Sequence, residues 1–345
     1  MKLIMKGWKN MKVKIIKQIL VMQILLVAAS LFLAGCGSGA FQIQMISKNQ
    51  ELTETQIKRD KGMFVSDKIV VIDVDGIILN KQQDGWMSQG NNPVTTFLEK
   101  LDKAAADEDV KAVVLRLNSP GGSVSATDIM YHSLTEYKRR TKVPVIACMM
   151  DVAASGAYYL ACGCDGIIAQ PSCVTGSIGT IMQTFSVTGT MEKIGVEAVA
   201  IKSGKMKDMA SPLHEMRDEE QVLLQQIIDV FYEQFLGVVE KGRPNLAKDK
   251  LRQLADGRVY TAEQAKNEGL IDRIGYADDA VEWARKMAGI EKAKTVMYHR
   301  PMQTMPNIYG SAMSTTGASP LVNIELPDWL QSGGTQFLYL WQPGL

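Results

Sequence analysis

The stretch that most constrains this chain is Val143-Pro-Val-Ile-Ala-Cys-Met149, followed by Asp151-Val-Ala-Ala-Ser-Gly-Ala-Tyr-Tyr159. The first run is apolar and rich in β-branched residues, the pattern of a buried strand. The second turns small and apolar after Gly156, which suits the first turn of a closely packed helix. Ser155 therefore falls at a strand-to-helix junction among tiny neighbours. Such a turn presents a hydroxyl and aims helix N–H groups at an anion. A serine at the start of a helix is also a common N-cap. The rest of the chain has to decide between a cap and a nucleophile.

Strand and helix patterns alternate through most of residues 68–275, which predicts an α/β fold with parallel sheet layers and flanking helices. Residues 68–75, 110–117, 165–169, 180–189 and 196–201 read as further strands. Residues 94–106, 126–138, 215–241, 245–254 and 276–287 read as helices. The longest carries Val222, Leu223, Ile227, Ile228, Val230, Phe231, Phe235 and Val238 on one face. Residues 53–61 read as a helix within a polar, charged stretch. Two glycine loops break the alternation, Asn118-Ser-Pro-Gly-Gly122 and Gly176-Ser-Ile-Gly179. A glycine pair after a buried strand offers free backbone N–H groups, although Pro-Gly-Gly is strong turn chemistry on its own.

The N-terminus reads as a targeting segment. Lys2, Lys6, Lys9, Lys12, Lys14 and Lys17 precede an apolar run over 19–33, too short for a comfortable membrane span and suited to a signal sequence. It ends Leu33-Ala-Gly-Cys36, which resembles a bacterial lipobox. The expectation is a signal peptide over 1–35, lipid attachment at Cys36, and a tether over 36–67. The body would then be lipid-anchored to a bacterial cell membrane on its extracytoplasmic side, the competing reading being an uncleaved anchor. With 38 basic and 37 acidic residues, nothing points to nucleic acid. Cys148, Cys162, Cys164 and Cys173 read as buried, unpaired thiols. No cysteine or carboxylate is spaced with His132, His214 or His299 as metal ligands would be. Residues 291–345 read as a flexible tail. It ends Phe337-Leu-Tyr-Leu-Trp341, an apolar patch that needs a surface: its own cleft, a neighbour's cleft, or another subunit.

A serine nucleophile needs a base, and no histidine stands in a compelling order with Ser155. The alternative is a neutral lysine. Keeping a lysine neutral near pH 7 lowers its pKa from ~10.4 by roughly three units, about 4 kcal/mol, which requires a largely dry pocket. Lys202, Lys205 and Lys207 are all candidates, and spacing alone does not choose among them.

Five motifs occur together and in order: Asn118-Ser-Pro-Gly-Gly122, Ala154-Ser-Gly-Ala157, Gly176-Ser-Ile-Gly179, Ser203-Gly-Lys-Met-Lys-Asp208 with Ser211-Pro212, and Gly257-Arg-Val-Tyr-Thr-Ala with Gly269-Leu-Ile-Asp272. In this the chain resembles the signal peptide peptidase A (protease IV) family in its short, single-unit bacterial form, over roughly 68–290. The resemblance implies a crotonase-like/Clp-protease-like fold in a ring-like homo-oligomer, and a serine endopeptidase with a Ser-Lys dyad. Residue by residue it implies Ser155 as nucleophile, Lys207 as base, Ser177 as the group that orients the lysine, and Gly121 and Gly122 at the oxyanion site. It further implies apolar peptide substrates such as remnant signal peptides, and a dyad shared between neighbouring copies. No metal or other cofactor is implied. Asp208 is expected to point away from the pocket, since it would favour a charged lysine. The competing readings are a crotonase-like enzyme acting on a coenzyme A thioester and a catalytically silent exported scaffold lipoprotein.

Overall fold

The computed structural model describes residues 51–62, 65–81 and 92–300, with short stretches at 303–304, 307–309, 313–314 and 337–341. The expected signal segment and Cys36 lie outside the described residues. In chain order the first elements are β1 (Thr53–Arg59), β2 (Lys68–Asp75), α1 (Pro93–Ala106), β3 (Val110–Ser119), β4 (Gly121–Ser123), α2 (Val124–Thr141), β5 (Val145–Ala154) and α3 (Gly156–Ala161). Then follow β6 (Gly166–Ala169), β7 (Val174–Gly176), β8 (Ile181–Met182), α4 (Thr188–Lys193), α5 (Asp218–Gly242), α6 (Lys248–Leu254), β9 (Val259–Thr261), α7 (Ala262–Asn267), β10 (Arg273–Ile274), α8 (Ala277–Met287) and β11 (Lys294–His299). A two-stranded pair, β12 (Gln303–Thr304) and β13 (Met313–Ser314), precedes β14 (Phe337–Leu340).

The main sheet runs β1-β11-β2-β3-β5-β6-β10, and β7 joins it between β5 and β9. β11, β2, β3, β5, β6 and β10 pair in parallel, as the expected α/β layering requires. Their apolar runs are unbroken because both faces of the sheet are covered. On one face Ile72, Leu115 and Ala147 pack with Phe97, Met130 and Tyr137 from α1 and α2. On the other, Val71, Val114 and Ile146 pack with Ala277, Ala280 and Ala284 of α8. The helices start where their caps predict: the Asn92 side chain accepts from the N–H groups of Val94 and Thr95, and Pro93 needs no donor partner there.

Four expectations are corrected. Residues 53–59 form a strand, not a helix, because they pair antiparallel with β11. β11 itself lies inside the sheet, so the stretch expected as a tail begins by completing the core. Residues 196–201 form no strand and are exposed, since no strand among the described residues lies beside them. Of 180–189 only Ile181 and Met182 are strand, and a helix begins at Thr188. The four described cysteines are free; burial pushes the thiols of Cys148, Cys162 and Cys173 up to about 12, so they are inert fillers.

The long helix α5 is not apolar-buried along one face as its pattern predicts. Phe235, Leu236, Val238 and Val239 enter the core, whereas Val222, Leu223 and Val230 stand in the open. Its C-terminal end meets the end of α3 closely: a Cβ on Gly242 would come within 2.4 Å of the Cys162 carbonyl oxygen. That contact fixes α3, and with it the junction at Ser155. Replacing Gly242 with alanine is expected to lower stability by about 1–3 kcal/mol through overpacking, measured by chemical denaturation of the full chain.

Candidate active site

β5 ends at Ala154 beside Gly176 of β7, the two strands being parallel. The next residues, Ser155 and Ser177, therefore lie side by side, one strand spacing apart, about 4.8 Å. Both carry positive φ, 53° and 50°, a region a side-chain-bearing residue enters at a cost of about 1–3 kcal/mol. The Ser155 N–H donates to the Gly176 carbonyl at 2.8 Å and the Ser177 N–H to the Arg258 carbonyl at 2.8 Å. These bonds hold the two turns in their unusual shape. Ser155 is 1% exposed, and its Oγ has no hydrogen-bond partner among the described residues. It makes no cap bond to α3, which removes the N-cap alternative. A buried hydroxyl left unsatisfied on a strained turn is not there for stability.

The glycine loop faces this turn. Gly121 has φ 102°, and a Cβ there would come within 2.7 Å of the Gly156 nitrogen. A Cβ on Gly122 would come within 2.0 Å of the Ile78 carbonyl oxygen. The Gly121 N–H is already engaged, donating to Ser119 Oγ at 3.1 Å. Gly121 thus supplies room. The N–H of Gly156, at the first position of α3, has no intrahelical partner.

One feature of the cleft was not legible in the spacing of the motifs. β14 lies between β4 and β8, antiparallel to both, pairing Tyr339 with Gly122, Leu340 with Gly121 and Leu338 with Ile181. The Trp341 N–H extends this ladder to the Pro120 carbonyl at 2.8 Å. The Tyr339 carbonyl oxygen sits where a Gly121 side chain would be, 2.0 Å from its would-be Cβ and 3.2 Å from that of Gly156. The Tyr339 ring is fully buried, stacked on Tyr159 at 5.3 Å and tilted against Phe235 at 4.8 Å. Its hydroxyl donates to the Phe231 carbonyl at 2.7 Å. Tyr159 is held in turn by its own hydroxyl, which donates to Asp128 at 2.8 Å. The apolar end of the chain thus occupies the cleft beside Ser155 as an added strand.

Lys207 is exposed, in a run of turns, and is not a hydrogen-bond partner of Ser155 Oγ within this chain. The loop around it is tied down. Arg217 donates to the Lys205 carbonyl at 3.0 Å, to the Asp208 carboxylate at 3.0 Å and to Glu220 at 2.7 Å. Lys202 also pairs with Asp208, and these cations hold its carboxyl down to about 2. The Asp208 carboxylate is therefore spent on Lys202 and Arg217. Lys205 pairs with Glu219 at 2.6 Å. His214, Asp208 and Glu220 bring donor atoms within 4.8 Å of one another, a grouping that sequence spacing hid. Lys202 and Arg217 already neutralise both carboxylates, so this is an ion-pair network rather than a cation site. The other histidines are remote in role: His132 is exposed on α2, and His299 bonds Thr55 and the Arg300 carbonyl.

A layered α/β chain that ends a parallel strand in a strained, buried serine, facing an added strand, has the arrangement of a serine hydrolase. The sequence pattern of Peptidase family S49 matches residues 137–291. A protein of Enterococcus faecium named as a signal peptide peptidase SppA is 34% identical over 250 residues, 72% of this chain and 71% of its own length. A protein of Synechocystis named as a protease is 40% identical over 195 residues, 56% of this chain and 69% of its own. The chloroplastic serine protease SPPA of Arabidopsis thaliana is 32% identical over 248 residues, 70% of this chain but 36% of that longer protein. The chain belongs to the signal peptide peptidase A family within peptidase family S49, with its Clp-protease-like fold, and is a serine peptidase.

The close approach at Gly121 carries a direct test. Gly121→Ala is expected to expel β14 while leaving the main sheet folded. Hydrogen exchange should show residues 337–341 losing protection and β3 and β5 keeping theirs.

Proposed function

We propose that this protein is a membrane-associated endopeptidase that uses a Ser155–Lys207 dyad to cut apolar peptides, remnant signal peptides among them. The observation that carries the reading is the buried, partnerless Ser155 Oγ on its strained turn, next to a cleft already filled by an antiparallel strand. Substrate would enter as that strand does, by backbone pairing to β4 and β8. An apolar or aromatic side chain would drop into the pocket of Tyr159 and Phe235, where each aromatic contact contributes about 0.5–1.5 kcal/mol.

In the proposed reaction Lys207 Nζ, neutral, takes the proton as Ser155 Oγ attacks the peptide carbonyl carbon. The N–H groups of Gly122 and Gly156 hold the oxyanion, a contribution of about 3 kcal/mol per donor in serine hydrolases. The tetrahedral adduct collapses, the amine leaves with the proton from Lys207, and water then releases the acyl group by the same route. Ser177, one strand over from Ser155, orients the lysine. No metal or cofactor takes part in this scheme.

Because Lys207 is exposed while Ser155 is buried, a neighbouring copy is the proposed source of the lysine. Ile194, Val196, Val199, Ile201, Leu213, Met216, Val222, Leu223 and Val230 are all exposed apolar side chains around the Lys207 loop and the open half of α5. A second copy is what would cover them and dry the pocket, as a lysine base requires. Head-to-tail packing of this kind closes into a ring. The apolar composition of α5, in which an 18-residue stretch has a mean hydropathy of 1.3, is matched to this protein interface, since its C-terminal half fills the core. Membrane attachment is assigned instead to the N-terminal segment, with lipid at Cys36 and the peptidase on the extracytoplasmic side.

Four experiments check the reading. Serine-reactive fluorophosphonate should label the full-length protein, with labelling lost in Ser155→Ala and Lys207→Ala but kept in Lys205→Ala; labelling that survives Lys207→Ala refutes the dyad. Mixing inactive Ser155→Ala and Lys207→Ala proteins should restore about a quarter of full activity if each site joins two copies of a ring, and none if each chain is self-sufficient. Peptidase activity should be nearly absent at pH 5 and rise through neutral pH, since a general base acts only in its unprotonated form. Removing residues 337–345 should raise the rate on short apolar peptides, since the cleft is then vacant; an unchanged rate would argue against autoinhibition by β14.

A further inference from the structure

The loop that carries Lys207 has a second anchor besides Arg217, and its chemistry is fixed by what it touches. His214 Nδ1 lies 2.7 Å from the Glu215 carbonyl oxygen and Nε2 lies 2.9 Å from the Asp208 carbonyl oxygen. Carbonyl oxygens only accept. A neutral imidazole has one N–H and one bare nitrogen, so it satisfies one of these contacts and sets a lone pair against the other oxygen. Both contacts are made only by the imidazolium, with an N–H on each nitrogen.

The surroundings favour that charge. The Asp208 carboxylate lies 3.6 Å from Nε2 and the Glu220 carboxylate 3.9 Å. Facing the ring from the start of α5 are Arg217 and Glu220; from the loop come Asp208 and its partner Lys202; Glu215 adjoins it in sequence. Around the ring the two carboxylates are shared with the two cations, and the carbonyls of Glu215 and Asp208 tip the balance. Accordingly the imidazole's affinity for its proton is raised, first by the Glu215 carbonyl and then by that of Asp208. The Asp208 carbonyl belongs to the residue directly after Lys207. A bond to it therefore sets where the Lys207 backbone lies.

We propose that His214, as an imidazolium bridging the Asp208 and Glu215 carbonyls, is a positioning residue for the Lys207 loop and loosens its hold when deprotonated, because a neutral ring has one N–H for two carbonyls. The inference deepens the dyad reading and rests on it for its effect on catalysis, but the latch itself does not depend on Lys207 being the base. The sign follows from the raised proton affinity: the latch is complete below the ordinary imidazole value, ~6.5, and is lost as pH rises through the higher folded value. Loosening of the latch therefore turns the activity profile down at alkaline pH.

The test uses the full-length protein in detergent micelles. Deuterium uptake at the imidazole Cε1, resolved by mass spectrometry for each histidine, gives the titration of His214. Amide exchange over 204–210, corrected for intrinsic rate, reads the loop. His214 is expected to titrate above the ordinary value, with loop exchange accelerating by up to about tenfold per pKa unit of that rise. His214→Arg, a permanent cation with several donors, should keep the loop protected up to pH 9 and abolish the alkaline fall in kcat. His214→Gln should leave the loop fast-exchanging at every pH. The proposal is overturned if His214 titrates at or below ~6.5, if loop exchange in the natural protein is the same at pH 6 and pH 9, or if His214→Arg loses protection as the natural protein does. A Lys207→Ala variant that stayed active would sink the dyad while these exchange results stood.

Discussion

The structure depends on one backbone constraint: Ser155 is held at positive φ by the bond from its N–H to the Gly176 carbonyl. β5 and β7 must be parallel and in register for that bond to exist, and α3 must begin at once after the turn. The strain of about 1–3 kcal/mol is tolerated because a sheet buried on both faces over-determines the position. The residues whose backbones meet at the turn are glycines for the same reason. Gly121 and Gly156 approach each other and the Tyr339 carbonyl within distances that leave no space for a Cβ.

From that constraint the division of labour follows. The rigid half of the site, Ser155 with its glycine loop, sits on the core sheet where positions are exact to the packing of side chains. The 202–217 loop, which carries the proposed base, is fixed instead by charge: Arg217, Asp208, Lys202, Glu220 and His214. Packing gives the nucleophile one geometry at any pH. A charge network gives the lysine loop a geometry that responds to protonation and to salt. The cleft beside Ser155 is lined by the strand edges of β4 and β8, and β14 covers them, which also protects the chain from unwanted edge pairing.

Sequence patterns located the sheet because unbroken β-branched runs such as Lys68-Ile-Val-Val-Ile leave few alternatives to a doubly covered parallel strand. They failed at 53–59 and 196–201, where the pattern is weak and the outcome rests on whether a partner strand lies alongside. For 53–59 β11 supplies one; for 196–201 the described residues supply none. Within the site, Ser155, Ser177 and the Gly121–Gly122 loop could be singled out because small residues at strand ends are local signals. Arg217 and Glu220 carry a weaker signal, their i, i+3 spacing at a helix start, where the Arg217 N–H donates to the Glu220 carboxylate. His214 was passed over because its partners are backbone carbonyls, which carry no side-chain signature.

By itself the sequence determined the α/β layering, the strand-to-helix turn at Ser155 and the family to which the chain belongs. Those rest on local periodicity, on small residues where backbones crowd, and on five motifs in fixed order. Only the tertiary structure decided that Ser155 makes no cap bond, that the C-terminal strand lies in the cleft, and that Lys207 and Ser155 do not meet within one chain. Each of these depends on contacts between segments far apart in sequence, up to the pairing of Gly121 with Leu340. Such contacts are set by register and burial, and no short stretch of the chain encodes them.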